Sequence, residues 1–116
     1  MKRIIVTDDD EGIQDIFKMI FERAGYNVQV FDEASAILEN NFTVPDLFLL
    51  DRQLSGYDGL EICKFLKNQN ATKHVPVIIV SASSEIHELA RKAGADDFIE
   101  KPFQIKELLG LVERWI

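Results

Sequence analysis

Short apolar segments alternate with helical patterns along this chain, and the alternation predicts an α/β fold with helices on both faces of a parallel sheet. The central segments are almost wholly apolar, as is typical of strands that are buried on both faces. Five strand–helix units are too few to close an eight-stranded barrel, so we expect an open three-layer sandwich. The chain has 116 residues and one composition throughout, so residues 1–116 are expected to form a single domain.

The predicted strands are recognised by their apolar residues and by the prolines before them. Residues 27–31 alternate apolar and polar side chains, which is the pattern of a strand with one exposed face. Pro45 precedes the third strand, and Pro76 begins the fourth. In chain order, the strands are expected at residues 4–6, 27–31, 46–50, 76–80 and 98–100.

Apolar residues at helical spacing indicate the first and the last helix. They are Ile13, Ile16, Phe17, Ile20, Phe21 and Ala24 in the first helix, which ends at Gly25, and Ile105, Leu108, Leu109, Val112, Trp115 and Ile116 in the last. After the second strand, Asp32 is expected to cap a short helix that runs to about Asn40.

Two further helices are predicted in the second half of the chain. Turn-forming residues at 55–59 open a helix that runs to about Asn68. Ser83 or Ser84 is expected to cap the next helix, which ends at Gly94. Every predicted strand is thus followed by its own helix, as the parallel sheet requires.

The composition limits the class of protein. Hydrophobic residues make up 47% of the chain, and no apolar run approaches the ~20 residues of a membrane span, so we expect a soluble protein without membrane contact. No signal peptide is visible after Met1, which favours the cytoplasm. The net charge of -7 disfavours direct nucleic-acid binding and favours a cation or a basic partner surface. The single cysteine, Cys63, is expected to be a buried, inert thiol.

Polar residues follow four of the predicted strands at the point where each strand ends. They are the pair Asp8 and Asp9, then Asp51, Ser81 and Lys101. The carboxyl ends of parallel strands meet at one edge of the sheet, which is where open α/β folds bind ligands. Alone, each residue would be read as a helix cap or a surface charge. Together, carboxylates with a hydroxyl and an ammonium predict a site for a divalent cation and a phosphoryl group.

These residues, in this order, resemble the receiver domain of two-component response regulators. The resemblance covers essentially the whole chain, and it implies a flavodoxin-like (βα)5 sandwich with the parallel strand order 2-1-3-4-5. The segments that carry it are Ile5-Val6-Thr7-Asp8-Asp9, residues 51–59 from Asp51 to Gly59, Ser81-Ala82, and residues 94–103 from Gly94 to Phe103.

The resemblance implies that Asp51 is the phosphoacceptor, which takes a phosphoryl group from a sensor histidine kinase or a histidine phosphotransfer protein. It further implies a Mg²⁺ ion held by Asp9, Asp51 and the backbone carbonyl of Gln53, with Asp8 acting mainly through bound water. Such a protein is a signalling switch that catalyses only its own phosphorylation and dephosphorylation.

Ser81 and Lys101 would contact phosphoryl oxygens in such a site, and the Lys101-Pro102 bond is expected to be cis. Ser81 and Phe98 would form the switch that reshapes the surface made by the fourth helix, fifth strand and fifth helix. For Phe98, an ordinary place in the core is the alternative. That surface would bind a downstream protein or an output domain, or would mediate a phosphorylation-dependent homodimer.

The output surface departs from one group of similar proteins. Receivers of winged-helix transcription factors resemble this chain at Asp97 and Glu107. They tend to carry lysine where His87 stands and arginine where Leu111 stands, so their salt-bridged dimer contacts are incomplete in this sequence. Neither His87 nor His74 has a second ligand at metal spacing.

Two other functions are alternatives to the switch. A Mg²⁺-dependent phosphatase with an aspartyl nucleophile typically carries a second acid two residues after the nucleophile, where Gln53 stands here. A flavin or nucleotide binder needs a glycine-rich loop after the first strand. The acids from Asp8 to Glu11 occupy that loop and would repel a phosphate.

Overall fold

The computed structural model describes residues 1–54 and 56–116. It contains one parallel sheet whose strands are β1 (Arg3–Thr7), β2 (Asn27–Phe31), β3 (Leu47–Asp51), β4 (Val77–Ser81) and β5 (Asp97–Glu100). Their order across the sheet is β2-β1-β3-β4-β5, which confirms the predicted fold class. A short antiparallel hairpin after β3 pairs Gln53–Leu54 with Tyr57–Asp58.

Helices follow each strand of the sheet. They are α1 (Glu11–Arg23), α2 (Ser35–Leu38), α3 (Gly59–Lys67), α4 (Ile86–Lys92) and α5 (Ile105–Trp115). Aspartate side chains cap the start of α1 and of α3. Asp10 accepts the backbone N–H of Ile13 at 3.1 Å, and Asp58 accepts that of Leu60 at 2.9 Å. None of the helices in the described residues is both long enough and apolar enough to cross a membrane.

The core lies in two layers because successive residues of a strand face opposite sides of the sheet. On one side, Phe48 and Leu50 of β3 pack with residues of α2, α3 and α4. On the other side, Leu49 packs with residues of α1 and α5. Every residue of β3 and of β4 is buried, as predicted for central strands. These two rigid strands end at the edge of the sheet where the candidate site lies.

Two predicted helix caps were wrong. The second helix begins only at Ser35, with no side-chain cap, and it ends at Leu38 because Asn40 adopts a positive φ of 57°. The Ser83 side chain accepts the N–H of Glu85 at 3.2 Å in a turn that precedes α4. In both segments the polar residues therefore lie in turns, and each helix begins later in the chain than the sequence predicts.

The apolar stripes of α1 and α5 are wider than the faces that reach the core. Phe17, Ile20 and Phe21 of α1 are buried, whereas Ile16 is 50% exposed. In α5, Leu108 and Val112 are buried, but Ile105 is 54% exposed. The helical spacing thus predicted both helices correctly, while Ile16 and Ile105 lie at the exposed margins of their apolar stripes.

Candidate functional site

Strand register brings the predicted site residues to one edge of the sheet. Thr7 lies opposite Leu50 in the β1–β3 pair, so the next residues, Asp8 and Asp51, are neighbours. Asp51 itself lies opposite Val80, and Ser81 follows. Ser81 lies opposite Glu100, and Lys101 follows, its N–H donating to the Ser81 carbonyl at 2.8 Å. The parallel register alone thus gathers groups from four strands.

The centre of this edge is an ion pair between Lys101 and Asp51. Lys101 Nζ donates to Asp51 Oδ2 at 2.6 Å. The same ammonium lies 3.8 Å from Asp8 Oδ2. The second oxygen of Asp51 accepts the backbone N–H of Gln53 at 2.9 Å. One ammonium thus serves two buried carboxylates, and the cluster carries more negative than positive charge.

Asp8 is the least satisfied group of the cluster. It is 2% exposed, and its Oδ1 accepts the N–H of Asp10 at 3.0 Å. Its Oδ2 is buried without a hydrogen-bond partner among the described residues. Burial first, and then the adjoining Asp51, raise the pKa of Asp8 from 3.8 to about 6. A buried oxygen with surplus negative charge beside it is suited to accept a cation.

The predicted Mg²⁺ ligands differ in burial. Asp8 and Asp51 are buried side by side and Gln53 is hydrogen-bonded to Asp51, whereas the Asp9 side chain is exposed. Across residues 1–54 and 56–116, no group of three or more acidic, histidine or cysteine side chains is arranged to hold a metal ion. The carboxylates of Asp8 and Asp51 are therefore the acidic groups that lie together at this edge of the sheet.

Ser81 ends β4, the strand next to Asp51, and Phe98 lies on β5, one strand further across the sheet. The Ser81 side chain is 5% exposed, and its Oγ accepts the N–H of Ser83 at 3.0 Å. Phe98 is half-buried and packs against the core on the α4 side of the sheet, and its ring also contacts His87 on α4. The Lys101-Pro102 bond is cis, as expected.

Gly59 is a residue of this region whose role the sequence did not reveal. Its N–H donates to the carbonyl of Arg52 at 2.6 Å. A Cβ at this position would overlap the carbonyl oxygen of Asp51. The start of α3 therefore rests directly on the end of β3, which only glycine allows. A glycine immediately after the capping Asp58 was the available signal, but it indicates a turn equally well.

The remaining candidates lie away from the cluster. Cys63 is fully buried, its thiol contacts the carbonyl of Ala93 at 3.5 Å, and burial raises the pKa of that thiol to about 11. It is an inert core thiol, as predicted. His74 is exposed between α3 and β4.

Comparison with known proteins decides the family. The profile of the response regulator receiver domain matches residues 4–113. The chain belongs to this family. Receiver domains of this family act as phosphorylated signalling switches in two-component systems, so the phosphatase and flavin hypotheses are set aside.

Relatives and solved structures agree with this receiver assignment. The phosphate regulon regulator PhoB of Escherichia coli K12 is 36% identical over 115 residues, covering 97% of this chain and 50% of PhoB. The receiver domain of the Francisella response regulator 1452 superposes with a TM-score of 0.88 at 33% identity, over 99% of this chain and 96% of that one. The response regulator TrrA of Thermotoga maritima, in complex with Mg²⁺-BeF, gives a TM-score of 0.88 at 29% identity, with both chains fully covered. The chain spans about half the length of the curated relatives it matches.

Proposed function

We propose that this receiver domain accepts a phosphoryl group on Asp51 from the phosphohistidine of a sensor histidine kinase or a histidine phosphotransfer protein. The observation that carries the proposal is the 2.6 Å ion pair between Lys101 and Asp51 beside the buried Asp8. The pair lies at the end of a fully buried strand. The Lys101 ammonium therefore lies where it can neutralise negative charge on an incoming phosphoryl group.

The transfer exchanges one bond to phosphorus for another. An oxygen of Asp51 forms the new P–O bond while the P–N bond to the imidazole breaks, and the imidazole nitrogen keeps the bonding electrons and takes up a proton. A carboxylate needs no general base, because it is already ionised at neutral pH. Lys101 is close enough to follow a phosphoryl oxygen, and Ser81 is one strand away to donate to another.

Mg²⁺ fits the donor set of this receiver. Asp8 presents a buried oxygen without a partner among the described residues, next to Asp51, and hard oxygen ligands are those that Mg²⁺ prefers. Asp9, Asp51 and the backbone carbonyl of Gln53 would hold the ion directly, and Asp8 through water. The bound ion would neutralise the carboxylates and the incoming oxygens. The Mg²⁺-BeF complex of the similar TrrA supports this assignment.

The output would run through Ser81 and Phe98. Phosphorylation adds about -1.5 to -2 charges, which would draw the Ser81 hydroxyl away from the Ser83 N–H that it now accepts. The space behind Ser81 would then admit the ring of Phe98, and the face made by α4, β5 and α5 would change shape. A downstream protein or output domain would bind that face. A phosphorylation-dependent homodimer is the second candidate.

The decisive experiment compares two aspartates that each form a 2.6 Å ion pair with lysine, Asp51 and Asp96. Both are changed to asparagine, which is nearly isosteric, and the variants are incubated with acetyl phosphate and Mg²⁺. Intact-mass measurement should show that the Asp96→Asn variant takes up phosphate and that the Asp51→Asn variant does not. Equal incorporation in Asp51→Asn would overturn the assignment of the phosphoacceptor.

A further inference from the structure

An exposed histidine of α4 contacts the proposed switch residue. The ring of His87 lies 4.0 Å from the ring of Phe98, centroid to centroid, with the planes tilted by 51°. His87 Nε2 also lies 3.2 Å from Glu100 Oε1. Phe98 and Glu100 are two residues apart in β5 and so lie on the same face of the strand. A single side chain therefore bridges α4 to both residues on this face of β5.

This contact is not part of the core. The side chains of His87 and Glu100 are 57% and 43% exposed, and Phe98 is half-buried. A movement of the Phe98 ring away from α4 and deeper into the core would break its contact with His87. The free-energy difference between the two ring positions therefore includes the His87–Phe98 interaction.

Resting on the proposed function, we propose that His87 is a positioning residue that holds Phe98 in the half-buried position it has here and so opposes activation of the receiver. Glu100 anchors the imidazole at 3.2 Å. Inward movement of Phe98 must break the ring contact with His87, so this contact favours the unphosphorylated form of the switch.

The test measures binding of beryllofluoride, a stable phosphoryl mimic, to the wild type and to His87→Gln in the presence of Mg²⁺. Glutamine can still hydrogen-bond to Glu100, but it has no ring to pack against Phe98. We expect His87→Gln to bind the mimic about two- to fivefold more tightly, the size expected for the loss of one partly exposed ring contact.

Controls separate this inference from the proposed function. Glu88→Gln changes the next residue of α4 and should leave the affinity at the wild-type value, whereas Glu100→Gln removes the anchor of the imidazole and should tighten binding in the same direction as His87→Gln. Aromatic NMR of Phe98 without the mimic should show a changed ring environment in His87→Gln. Unchanged affinity and an unmoved Phe98 signal would overturn the role of His87 and leave Asp51 as phosphoacceptor intact. Equal binding of the mimic by Asp51→Asn would instead overturn the proposed function, and this inference with it.

Discussion

Two lysine–aspartate pairs with the same separation of 2.6 Å lie at opposite edges of the sheet, and they differ in how fully their atoms are bonded. At the amino edge, Asp96 Oδ2 accepts from Lys67 and also from the N–H of Val77 at 2.8 Å. Lys67 donates in addition to the carbonyl of Val75 at 2.8 Å. This pair is closed, with an internal partner for each charge.

The pair at the carboxyl edge is open. Lys101 divides its charge between Asp51 and the more distant Asp8, and Asp8 Oδ2 is left without a hydrogen bond in the part of the chain that the structure describes. The same two residue types therefore stabilise the fold at one edge and leave unbalanced charge at the other. Completeness of bonding, rather than the ion pair itself, distinguishes the structural pair from the candidate functional one.

The largest expected effect comes from breaking the closed pair. Lys67→Met keeps the apolar stem but leaves the Asp96 charge without its ammonium, so the free energy of unfolding should fall by about 3 kcal/mol. Chemical denaturation measures this loss. Lys64→Met, on the same helix, is the matched control, because Lys64 forms an exposed ion pair with Glu61 at 3.5 Å. A loss in Lys67→Met as small as that of the control would show that the closed pair does not stabilise the fold.

The open pair should respond to Mg²⁺ instead. If the ion binds only the folded receiver, a hundredfold excess over its Kd raises the free energy of unfolding by about 2.7 kcal/mol. Asp9→Ala should lose this stabilisation, and its melting temperature should stay constant as Mg²⁺ is added. Asp15→Ala, which removes an exposed acid of α1, should keep the wild-type response. A full response in Asp9→Ala would exclude Asp9 as a ligand.

Without divalent cations, removing the buried charge of Asp8 should stabilise the protein. The folded-state pKa of Asp8 is about 6 against 3.8 ordinarily, so the folded protein binds this proton more tightly than the unfolded chain. Stability contributed by Asp8 therefore falls as the pH rises from about 4 to 6. Asp8→Asn should gain about 2 kcal/mol at pH 7 and almost nothing at pH 4. Melting curves at both pH values in chelator measure this; an equal gain at both would contradict it.

The smallest expected effect on stability comes from Ser81→Ala. The hydroxyl accepts one backbone N–H, and its loss should cost about 1 kcal/mol or less. The variant should still take phosphate on Asp51, yet beryllofluoride should no longer move the Phe98 signal in aromatic NMR. A full Phe98 shift in Ser81→Ala would show that the hydroxyl does not couple the open edge to the output face.

The sequence predicts the open edge well because its groups are the first polar residues after apolar strands. Once the strands are parallel, their register places the residues that follow them at one edge of the sheet; these are Asp8, Asp51, Ser81 and Lys101. The strand order came from the family resemblance, and the structure confirms it.

The closed pair and the histidine contact could not be found in this way. Lys67 and Asp96 are 29 residues apart, and either would be read as an ordinary surface charge. His87 follows no strand end, and its contact with Phe98 depends on how α4 is placed against β5. The helix caps at Asp32 and Ser83 were misplaced because these side chains favour turns as much as helix starts. These positions depend on packing between residues that are far apart in the chain, and local sequence patterns carry no information about that packing.

The order in which the site's strands leave the ribosome follows from their place in the chain. Among the segments of the site, the one with Asp8 is made first and Lys101 comes only after β5. A nascent chain that ends before β5 would hold Asp8 and Asp51 but lack the ammonium that balances them. The proposed site would therefore be completed only with Lys101, so that a kinase meets a working target once synthesis of the sheet is complete.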